Sequence, residues 1–440
     1  MGCGKSLAAI ATMGALYGHG AIHRALIIAP VTVCAGWPDE IDKFAAFPHE
    51  TALLLGAKGK RIDALQTLEA HDNDTGHPVE IAVINYESTF REDMFDALKA
   101  FKPDIVIADE SQRIKNHSAA QSKAVQALGD LAKYRLILSG TPVQNNAVDL
   151  YSQYRFLDPA IFGSNFYAFR NRYCVMGGFN EYQIVGYKNM DELVRKEHSI
   201  AYRVTKEECL DLPPETSVNR WVDFEPKERK VYEDLRRASV AELENGDRIT
   251  AATVLTKILR LQQLTGGFMV PDDAATPVQA NREKLLALQD IIEDYVVDGG
   301  KKLVIFARFR AEIHAIMELL KEDKVPAAVI DGDVPMDARG DLVRDFQQAD
   351  GTTQVMVCQI QAAGLGITLH AASTAVIYSL DYNYANYAQC LARIHRIGQQ
   401  FPVTYIHLLV RDSIDTKVMA ALSKKADLAA SIVDNWREIL

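Results

Sequence analysis

Short apolar runs rich in β-branched residues recur along two stretches of the chain, and helical segments separate them. In the first stretch the runs are Ala25–Ala29, Glu80–Ile84, Asp104–Ala108 and Tyr134–Leu138. In the second stretch they are Lys302–Ala307, Ala327–Ile330, Gln354–Cys358, Thr374–Leu380 and Val403–Leu408. Continuous apolar strands alternating with helices are typical of parallel sheets that are buried on both faces. The sequence therefore predicts an α/β protein with two parallel-sheet lobes.

The region between the two stretches has a different composition, in which aromatic and charged residues dominate. Helical spacing appears at Glu228–Leu243 and Ala251–Leu264, and Pro213-Pro214 marks a loop. We therefore divide the chain into a first lobe (residues 1–160), a helical insertion with the inter-lobe linker (161–300) and a second lobe (301–440). The segment from Ile414 to Ile432 predicts a C-terminal brace helix.

Charge and cysteine content exclude several classes of protein. The chain has 48 lysines and arginines against 58 aspartates and glutamates, a net charge of −10 at pH 7. This balance argues against coating nucleic acid by bulk positive charge, although a local cationic groove is compatible with it. The six cysteines form no CxxC pair, which argues against a zinc site or a disulfide framework. No apolar run reaches the roughly 18 residues that span a membrane.

A glycine-rich segment opens the chain. Its sequence, MGCGKS, matches the last part of the phosphate-loop pattern GxxxxGK[ST]. In such a loop the backbone N–H groups around Gly2 and Gly4 face phosphate oxygens. Lys5 would hold the β- and γ-phosphates, and Ser6 would ligate Mg²⁺. The competing interpretation is a glycine-rich turn before a helix, and the fragment alone does not decide between the two.

An acidic pair follows the third apolar run of the first stretch. In a nucleotide-hydrolysing enzyme Asp109 would hold Mg²⁺ through water, and Glu110 would position or activate the attacking water. The competing interpretation is a solvated acidic turn. A phosphate-loop lysine about a hundred residues earlier makes the functional interpretation the stronger one.

Two arginines near the end of the second stretch complete the pattern. Arg393 and Arg396 are three residues apart, a spacing that places them on one face of a predicted helix. Arginines so placed act on a γ-phosphate as arginine fingers, an effect of roughly 10³–10⁵ in rate. A basic surface helix is the alternative, but it does not account for the surrounding string QCLARIHRIGQ.

These motifs and their order resemble the Swi/Snf-like branch of superfamily 2 helicases over nearly the whole chain. The resemblance is carried by QxxxRxHRIGQ at Gln389–Gln399, SGTPVQN at Ser139–Asn145, LIIAP with Trp37 and Glu40, and DESQRIKN at Asp109–Asn116. It implies two RecA-like lobes that use ATP and Mg²⁺, with ATP held in the cleft between them. It also implies movement along double-stranded DNA, without strand separation and without sequence preference.

The resemblance assigns roles residue by residue. The first lobe would bind ATP through Gly2, Gly4, Lys5, Ser6 and Asp109, with Glu110 as a catalytic residue. The second would supply Arg393 and Arg396, with Gly366 and Gln389 nearby. The implied DNA contacts are Pro30, Trp37, Lys115, Thr141 and Thr368.

The sequence departs from the family pattern at two places. Gln112 stands where the family usually has a histidine, so the catalytic relay from the γ-phosphate to Ser139 would pass through an amide. Gln359-Ile360-Gln361 replaces the usual Ser/Thr-Lys/Arg pair at the entry to the fifth motif. Both departures affect how the motifs are coupled and leave the family assignment unchanged.

The phosphate-loop pattern begins at Met1, whereas family members carry an apolar strand before it. We therefore expect a first lobe that lacks its N-terminal strand, in a chain that is a fragment or has a misplaced start. The compact motif set is typical of a monomeric phage-like or bacterial-like motor, which we expect in the cytoplasm of a bacterial or phage-infected cell. Two alternatives stay open: a strand-separating or RNA-directed helicase, and a DNA-binding fragment with impaired ATPase activity.

Overall fold

The computed structural model describes residues 3–68, 78–178, 183–244, 251–270, 276–361 and 367–429. The described chain forms two compact units. The N-terminal unit contains residues 3–209 together with 425–429, and the C-terminal unit contains residues 210–424. The segment over 161–300, which the sequence presents as an insertion, is thus divided between the two units after Cys209.

The main sheet of the N-terminal unit has five parallel strands. They are β1 (Arg24–Ala29), β2 (His49–Leu54), β3 (Val79–Asn85), β4 (Ile105–Asp109) and β5 (Tyr134–Leu138). Their order across the sheet is β2-β3-β1-β4-β5. Every residue of β3 and β4 is buried, as expected for aliphatic strands covered on both faces.

Helices account for most of the rest of this unit. They are α1 (Lys5–Gly18), α2 (Val31–Cys34), α3 (Trp37–Phe44), α4 (Lys58–Leu68), α5 (Tyr86–Thr89), α6 (Glu92–Phe101), α7 (Ala120–Leu131), α8 (Asp149–Leu157), α9 (Pro159–Phe162), α10 (Phe166–Tyr173), α11 (Met190–His198) and α12 (Lys206–Cys209). A 3₁₀ turn covers Ser111–Ile114, and an antiparallel hairpin joins β6 (Cys174–Gly177) to β7 (Gln183–Tyr187).

Alternate residues of each strand pack on opposite faces of this sheet. Leu26 and Ile28 belong to a core that also contains residues of α4, α6 and α7. Ala25 and Ile27 belong to a second core with residues of α1 and α3. The side-chain period of two along a strand produces this division, and helices on both faces complete a doubly covered parallel sheet.

The C-terminal unit contains a six-stranded parallel sheet. Its strands and those of a small antiparallel hairpin are β8 (Glu215–Val222), β9 (Phe268–Met269), β10 (Val278–Gln279), β11 (Leu303–Ala307), β12 (Ala327–Ile330), β13 (Val355–Gln359), β14 (Thr374–Ile377) and β15 (Val403–Val410). The sheet order is β12-β13-β11-β14-β15-β8, and β9 pairs with β10. Together with the first sheet, this confirms the predicted α/β class with two parallel-sheet lobes.

The helices of the C-terminal unit include the two expected in the middle of the chain. They are α13 (Pro226–Glu244), α14 (Ala251–Thr265), α15 (Glu283–Ile292), α16 (Arg310–Glu322), α17 (Met336–Gln347), α18 (Tyr384–Leu391) and α19 (Ile414–Ala429), with a π-helical segment at Glu293–Val297. The first two correspond to the predicted helices at Glu228–Leu243 and Ala251–Leu264. In the described part of the chain, no helix has both the length and the apolar character needed to cross a membrane.

A buried ion pair joins several elements of this unit. Lys284 of α15 is 1% exposed, and its Nζ lies 2.7 Å from Asp415 Oδ2 at the start of α19. The same ammonium donates to the carbonyl of Tyr378 at 3.0 Å. Asp415 also accepts from Thr265 Oγ1 at 2.8 Å and from the backbone N–H of Val410 at 3.1 Å. These partners offset the desolvation of both charges, because a buried ion is tolerated only when its hydrogen bonds are satisfied.

A second buried acid lies at the first turn of α16. Glu312 Oε2 accepts from the backbone N–H groups of Arg308 at 3.1 Å and Phe309 at 3.0 Å, and from Ser379 Oγ at 2.5 Å. Burial raises the pKa of Glu312 to about 7, although these hydrogen bonds and Lys284 favour its ionised form. In this case burial outweighs the donors.

Glu312 should make folding stability depend on pH. Its pKa rises from 4.5 to about 7 on folding, so between those pH values the unfolded chain gives up its proton first. The unfolding free energy should therefore fall as pH rises through that window, by up to about 3 kcal/mol. We expect Glu312→Gln to remove this slope in urea unfolding measured at successive pH values. Glu318→Gln, an exposed change on the same helix, is the control. Equal slopes for the parent and Glu312→Gln would contradict the assignment.

Candidate functional site

The phosphate-loop residues stand at the start of α1. Gly4 has φ of 78°, a left-handed conformation that favours glycine, and α1 begins at Lys5. No side chain caps this end of the helix, and its first turn contains no acidic residue. The first N–H groups of α1 have no intrahelical partner and are available to an anion. Ser6 lies in the same turn, whereas Gly2 lies outside the described residues.

The acidic pair lies where β4 ends. Trp37 Nε1 donates to Asp109 Oδ2 at 3.2 Å, and the backbone N–H of Glu110 donates to Asp109 Oδ1 at 2.9 Å. The Tyr86 hydroxyl donates to the backbone carbonyl of Asp109 at 2.7 Å. These contacts fix the carboxylate and its backbone, so Asp109 is held in place before any ligand binds.

Glu110 has a backbone conformation that is unusual for its type. Its φ is 50° and its ψ is 53°, in the left-handed region that side-chain-bearing residues rarely adopt. Such strain costs of order 1 kcal/mol or more, and it persists where the surrounding structure over-determines the conformation. Here Asp109 precedes it in a buried strand and a 3₁₀ turn follows it. This left-handed conformation turns the Glu110 carboxylate away from the direction that it would have if β4 continued through this residue.

The electrostatics of the pair favour a cation. Burial raises the pKa of Asp109 to about 6, the charge of Glu110 raises it further, and the charge of Lys5 opposes the shift. The Lys5 ammonium is thus close enough to Asp109 to act on its ionisation. Two adjacent carboxylates in a desolvated setting leave negative charge that one lysine does not compensate. On this observation, the residues present fit a magnesium-bound nucleotide.

A chain of side-chain hydrogen bonds runs from Glu110 to the loop after β5. Gln112 Nε2 donates to Glu110 Oε2 at 2.6 Å, and Gln112 Oε1 accepts from Ser139 Oγ at 2.8 Å. Ser139 Oγ in turn accepts from the backbone N–H of Thr141 at 3.1 Å. The structure therefore brings together the residues of the predicted amide relay, with Gln112 using one donor and one acceptor at once.

The residues expected to contact DNA have very different exposures. Trp37 is 2% exposed and its Nε1 donates to Asp109, so its ring packs in the core and orients the acidic pair. Pro30 and Thr141 are also buried. Lys115 is half-buried, and its Nζ donates to Gln144 Oε1 at 2.6 Å. Burial lowers the pKa of Lys115. Lys115 and Thr368 are the two candidates with side-chain surface open to solvent.

The arginines of the C-terminal unit lie beyond the helix on which the sequence places them. Helix α18 ends at Leu391, so Arg393 and Arg396 occupy the turns that follow it. Both guanidiniums nevertheless point to one place, since each donates to the carbonyl of Ile367, at 3.5 and 3.3 Å respectively. Burial lowers the pKa of Arg396. Gln389 lies half-buried in the last turn of α18, and Gly366 lies outside the described residues.

Two contributors to the acidic site were not assigned a role at that site from the sequence. Trp37 and Tyr86 are 72 and 23 residues from Asp109 along the chain. Tyr86 directly follows a buried strand, as Glu110 does, and the carboxyl ends of parallel strands meet at one edge of a sheet. That position was the available signal for Tyr86. No comparable signal in the sequence indicates that Trp37 is the donor to Asp109 Oδ2.

Comparison with known proteins places these motifs in one family. Residues 1–266 match the SNF2-related domain, and residues 283–398 match the helicase conserved C-terminal domain. An uncharacterized ATP-dependent helicase of Mycoplasma genitalium is 26% identical over 97% of this chain and 39% of its own length. The DNA annealing helicase and endonuclease ZRANB3 of Mus musculus is 28% identical over 100% of this chain and 39% of its own length. The chain thus spans 39% of each relative.

Among solved structures, the Sulfolobus solfataricus SWI2/SNF2 ATPase core in complex with dsDNA aligns with 100% of this chain and 88% of its own length. The sequence identity is 23% and the TM-score is 0.41.

Gln112→His should make the link between Glu110 and Ser139 sensitive to pH. A neutral imidazole offers one donor and one acceptor, whereas its cation offers two donors and cannot accept from Ser139. We expect ATP turnover of the variant to fall several-fold relative to the parent as pH is lowered from about 8 to about 5. Gln66→His, on the exposed face of α4, is the control. Matching pH profiles for Gln112→His and the parent would show that turnover does not depend on this link.

Proposed function

The chain belongs to the SNF2-related domain family, and from that premise we propose that it is an ATP-hydrolysing motor that moves along double-stranded DNA. The observation that carries the proposal is the hydrogen-bonded chain from Glu110 through Gln112 to Ser139. It joins Glu110, the residue proposed to act on the attacking water, to the loop that follows β5. That loop lies at the edge of the sheet where the family is expected to contact DNA. A change in position at one end of this hydrogen-bonded chain alters the position of the other end. A motor requires such coupling between its hydrolytic site and its DNA-binding loop.

In this proposal the N-terminal unit binds the nucleotide. The free N–H groups at the start of α1 and the Lys5 ammonium receive the phosphates. Ser6 and Asp109 would hold Mg²⁺, which would supply positive charge to the phosphate oxygens. Trp37 and Tyr86 keep Asp109 oriented, so the Asp109 carboxylate does not have to become ordered when the nucleotide binds.

Glu110 then orients the water that attacks the γ-phosphate and receives its proton. The left-handed backbone at Glu110 and the Gln112 amide together set the direction of this carboxylate. Arg396, with Arg393, takes the part of the family's arginine fingers and stabilises charge that develops only in the transition state.

The substrate polymer is proposed to be duplex DNA bound through its backbone. Support comes from the family's motifs and from a relative whose name describes a DNA annealing helicase. Lys115 and Thr368 are the candidate contacts with accessible side chains. Phosphate contacts carry no sequence information, so the motor is expected to act on DNA of any sequence. The proposal includes a monomeric motor working in the cytoplasm.

Nucleic-acid stimulation tests the proposed polymer. ATP turnover is measured without nucleic acid and with single-stranded DNA, double-stranded DNA or RNA. We expect double-stranded DNA to stimulate most and the stimulation to fade as salt rises, because phosphate contacts release counterions. Equal stimulation by RNA would favour an RNA-directed helicase. Displacement of a strand from forked DNA would favour a strand-separating enzyme.

Glu110→Gln tests the chemistry. The amide keeps the size of the side chain but cannot take a proton from water, so ATP binding should be retained and turnover should fall by about a hundredfold or more. Binding is measured by titration with a fluorescent ATP analogue, and turnover by phosphate release. Glu92→Gln, an exposed change on α6, is the matched control. Turnover of Glu110→Gln near the parental rate would show that another group handles the water.

A further inference from the structure

His370 contacts a neighbouring helix on one side and, on the other, the stretch that carries the two arginines, residues 393–399, here called the arginine segment. Gln347, the last residue of α17, has its Nε2 2.9 Å from His370 Nδ1. The backbone carbonyl of His370 accepts from Gln399 Nε2 at 3.1 Å. Neither the hydrolysis of ATP nor the binding of DNA described above uses this histidine.

The amide of Gln347 determines which nitrogen of the ring carries the proton. Gln347 Oε1 accepts from the backbone N–H of Ala371 at 2.8 Å. Because a backbone N–H can only donate, this contact fixes the orientation of the amide and leaves its NH₂ group facing His370 Nδ1. Nδ1 is then an unprotonated acceptor, and the proton of the neutral imidazole is on Nε2. The hydrogen bonds therefore hold the ring uncharged.

The surroundings of the ring also favour the uncharged form. Burial lowers the pKa of His370, and the positive charge of Arg396 lowers it further. On the side of α17 the ring faces the uncharged amide of Gln347. An imidazolium at this place would lose the hydrogen bond from Gln347 and would repel the arginine. The contacts and the local charge thus agree on the same state of the ring.

Gly398 brings the arginine segment against the face of the ring. Its φ is 100°, in the left-handed region that favours glycine. An ideal Cβ placed on Gly398 would lie 3.0 Å from His370 Nε2, 3.1 Å from Cε1 and 3.2 Å from Cδ2. These nearly equal distances put the added carbon over the flat face of the ring, at a spacing tighter than ordinary van der Waals contact. The ring therefore occupies the space that a side chain at residue 398 would need.

Two further hydrogen bonds join the chain around His370 to the arginine segment. The backbone N–H of Leu369 donates to the carbonyl of Arg393 at 2.9 Å, and Gln399 Nε2 donates to the carbonyl of Ala372 at 2.9 Å. His370 lies between these two bonds, and its ring adds the contact with Gly398. Through Gln347 it also connects this contact to α17.

We propose that His370 is a positioning residue: its uncharged ring, oriented by Gln347, supports Gly398 and so holds the arginine segment in the arrangement that turnover requires. This role deepens the proposed ATPase function and rests on it. Without the ring, Gly398 loses its packing surface, and Arg396 loses a fixed backbone from which to reach a phosphate. The guanidinium keeps its charge, so the rate of hydrolysis should change more than the binding of ATP.

The state of the ring is tested without reference to activity. The ¹⁵N signals of His370 in the full chain, identified by their absence from His370→Asn, should show a protonated Nε2 and an unprotonated Nδ1 at neutral pH. In Gln347→Glu a carboxylate replaces the donor, so Nδ1 should become protonated. Gln348→Glu adds the same charge at the next residue, which is exposed, and should leave the ring as in the parent. A protonated Nδ1 in the parent, or an unprotonated Nδ1 in Gln347→Glu, overturns the assignment of the ring.

A double-mutant cycle then tests the positioning role. His370→Asn keeps an acceptor for Gln347 but removes the ring, and it should lower kcat about tenfold with KM for ATP little changed. Gly398→Ala should lower kcat as well, because its Cβ would press on the ring. The control is Gly300→Ala, which also adds a Cβ at positive φ, here 59°. Among the described residues nothing beyond its chain neighbours lies within 4 Å of that Cβ, so kcat should stay near the parental value.

The ring and the added Cβ meet only when both are present, so the two losses should not add. The kcat of the double variant should be within about twofold of that of His370→Asn. Additive losses, or a kcat for His370→Asn equal to that of Gly300→Ala, overturn the positioning role and leave the proposed function standing. Absence of ATP hydrolysis by the parent overturns the proposed function and the positioning role with it, while the ring signals decide the contact with Gln347 separately.

Discussion

In each main sheet all strands run parallel, and the chemistry of both units depends on this one constraint. Parallel strands all end at the same edge, so the residues that follow them are brought together whatever their separation in sequence. Pro30, Tyr86, Glu110 and Ser139 each stand directly after a strand of the first sheet. Because helices cover both faces of the sheet, its strands are mostly aliphatic, and the polar residues lie mainly in the loops. Binding, hydrolysis and the relay can therefore share one edge.

This arrangement leaves a charged carboxylate in a buried site with little access to water. Asp109 is held by Trp37 and by the N–H of Glu110, yet burial and the neighbouring acid still raise its pKa to about 6. Two donors do not compensate for the loss of water and the second negative charge together. The site therefore keeps uncompensated negative charge, which Lys5 reduces and a divalent cation would neutralise. The left-handed backbone of Glu110 is a second local cost at the same place.

The sequence predicted the strands well where burial on both faces makes them largely aliphatic, as in β3, β4 and β11, because such runs have few other structures open to them. It missed β8, whose residues are mostly polar and, apart from Val222, exposed, because an edge strand next to β15 needs no apolar run. It placed Arg393 and Arg396 on a helix, whereas α18 ends at Leu391. Local spacing cannot reveal where tertiary contacts, such as that of Tyr405 with the Leu391 carbonyl, replace helical ones. The Trp37–Asp109 bond was beyond prediction for a similar reason, since it joins residues 72 apart.

The two units use different chemistry for comparable connections. Gln112 joins Glu110 to Ser139 through an amide, which always has both a donor and an acceptor and does not titrate in the physiological range. In the C-terminal unit the connection is made instead through the backbone, because the guanidiniums of Arg393 and Arg396 share one acceptor, the carbonyl of Ile367. Neither the Gln112 amide nor this carbonyl gains or loses a proton near neutral pH. A response of the acidic edge to pH would therefore come from Asp109, whose pKa burial raises to about 6.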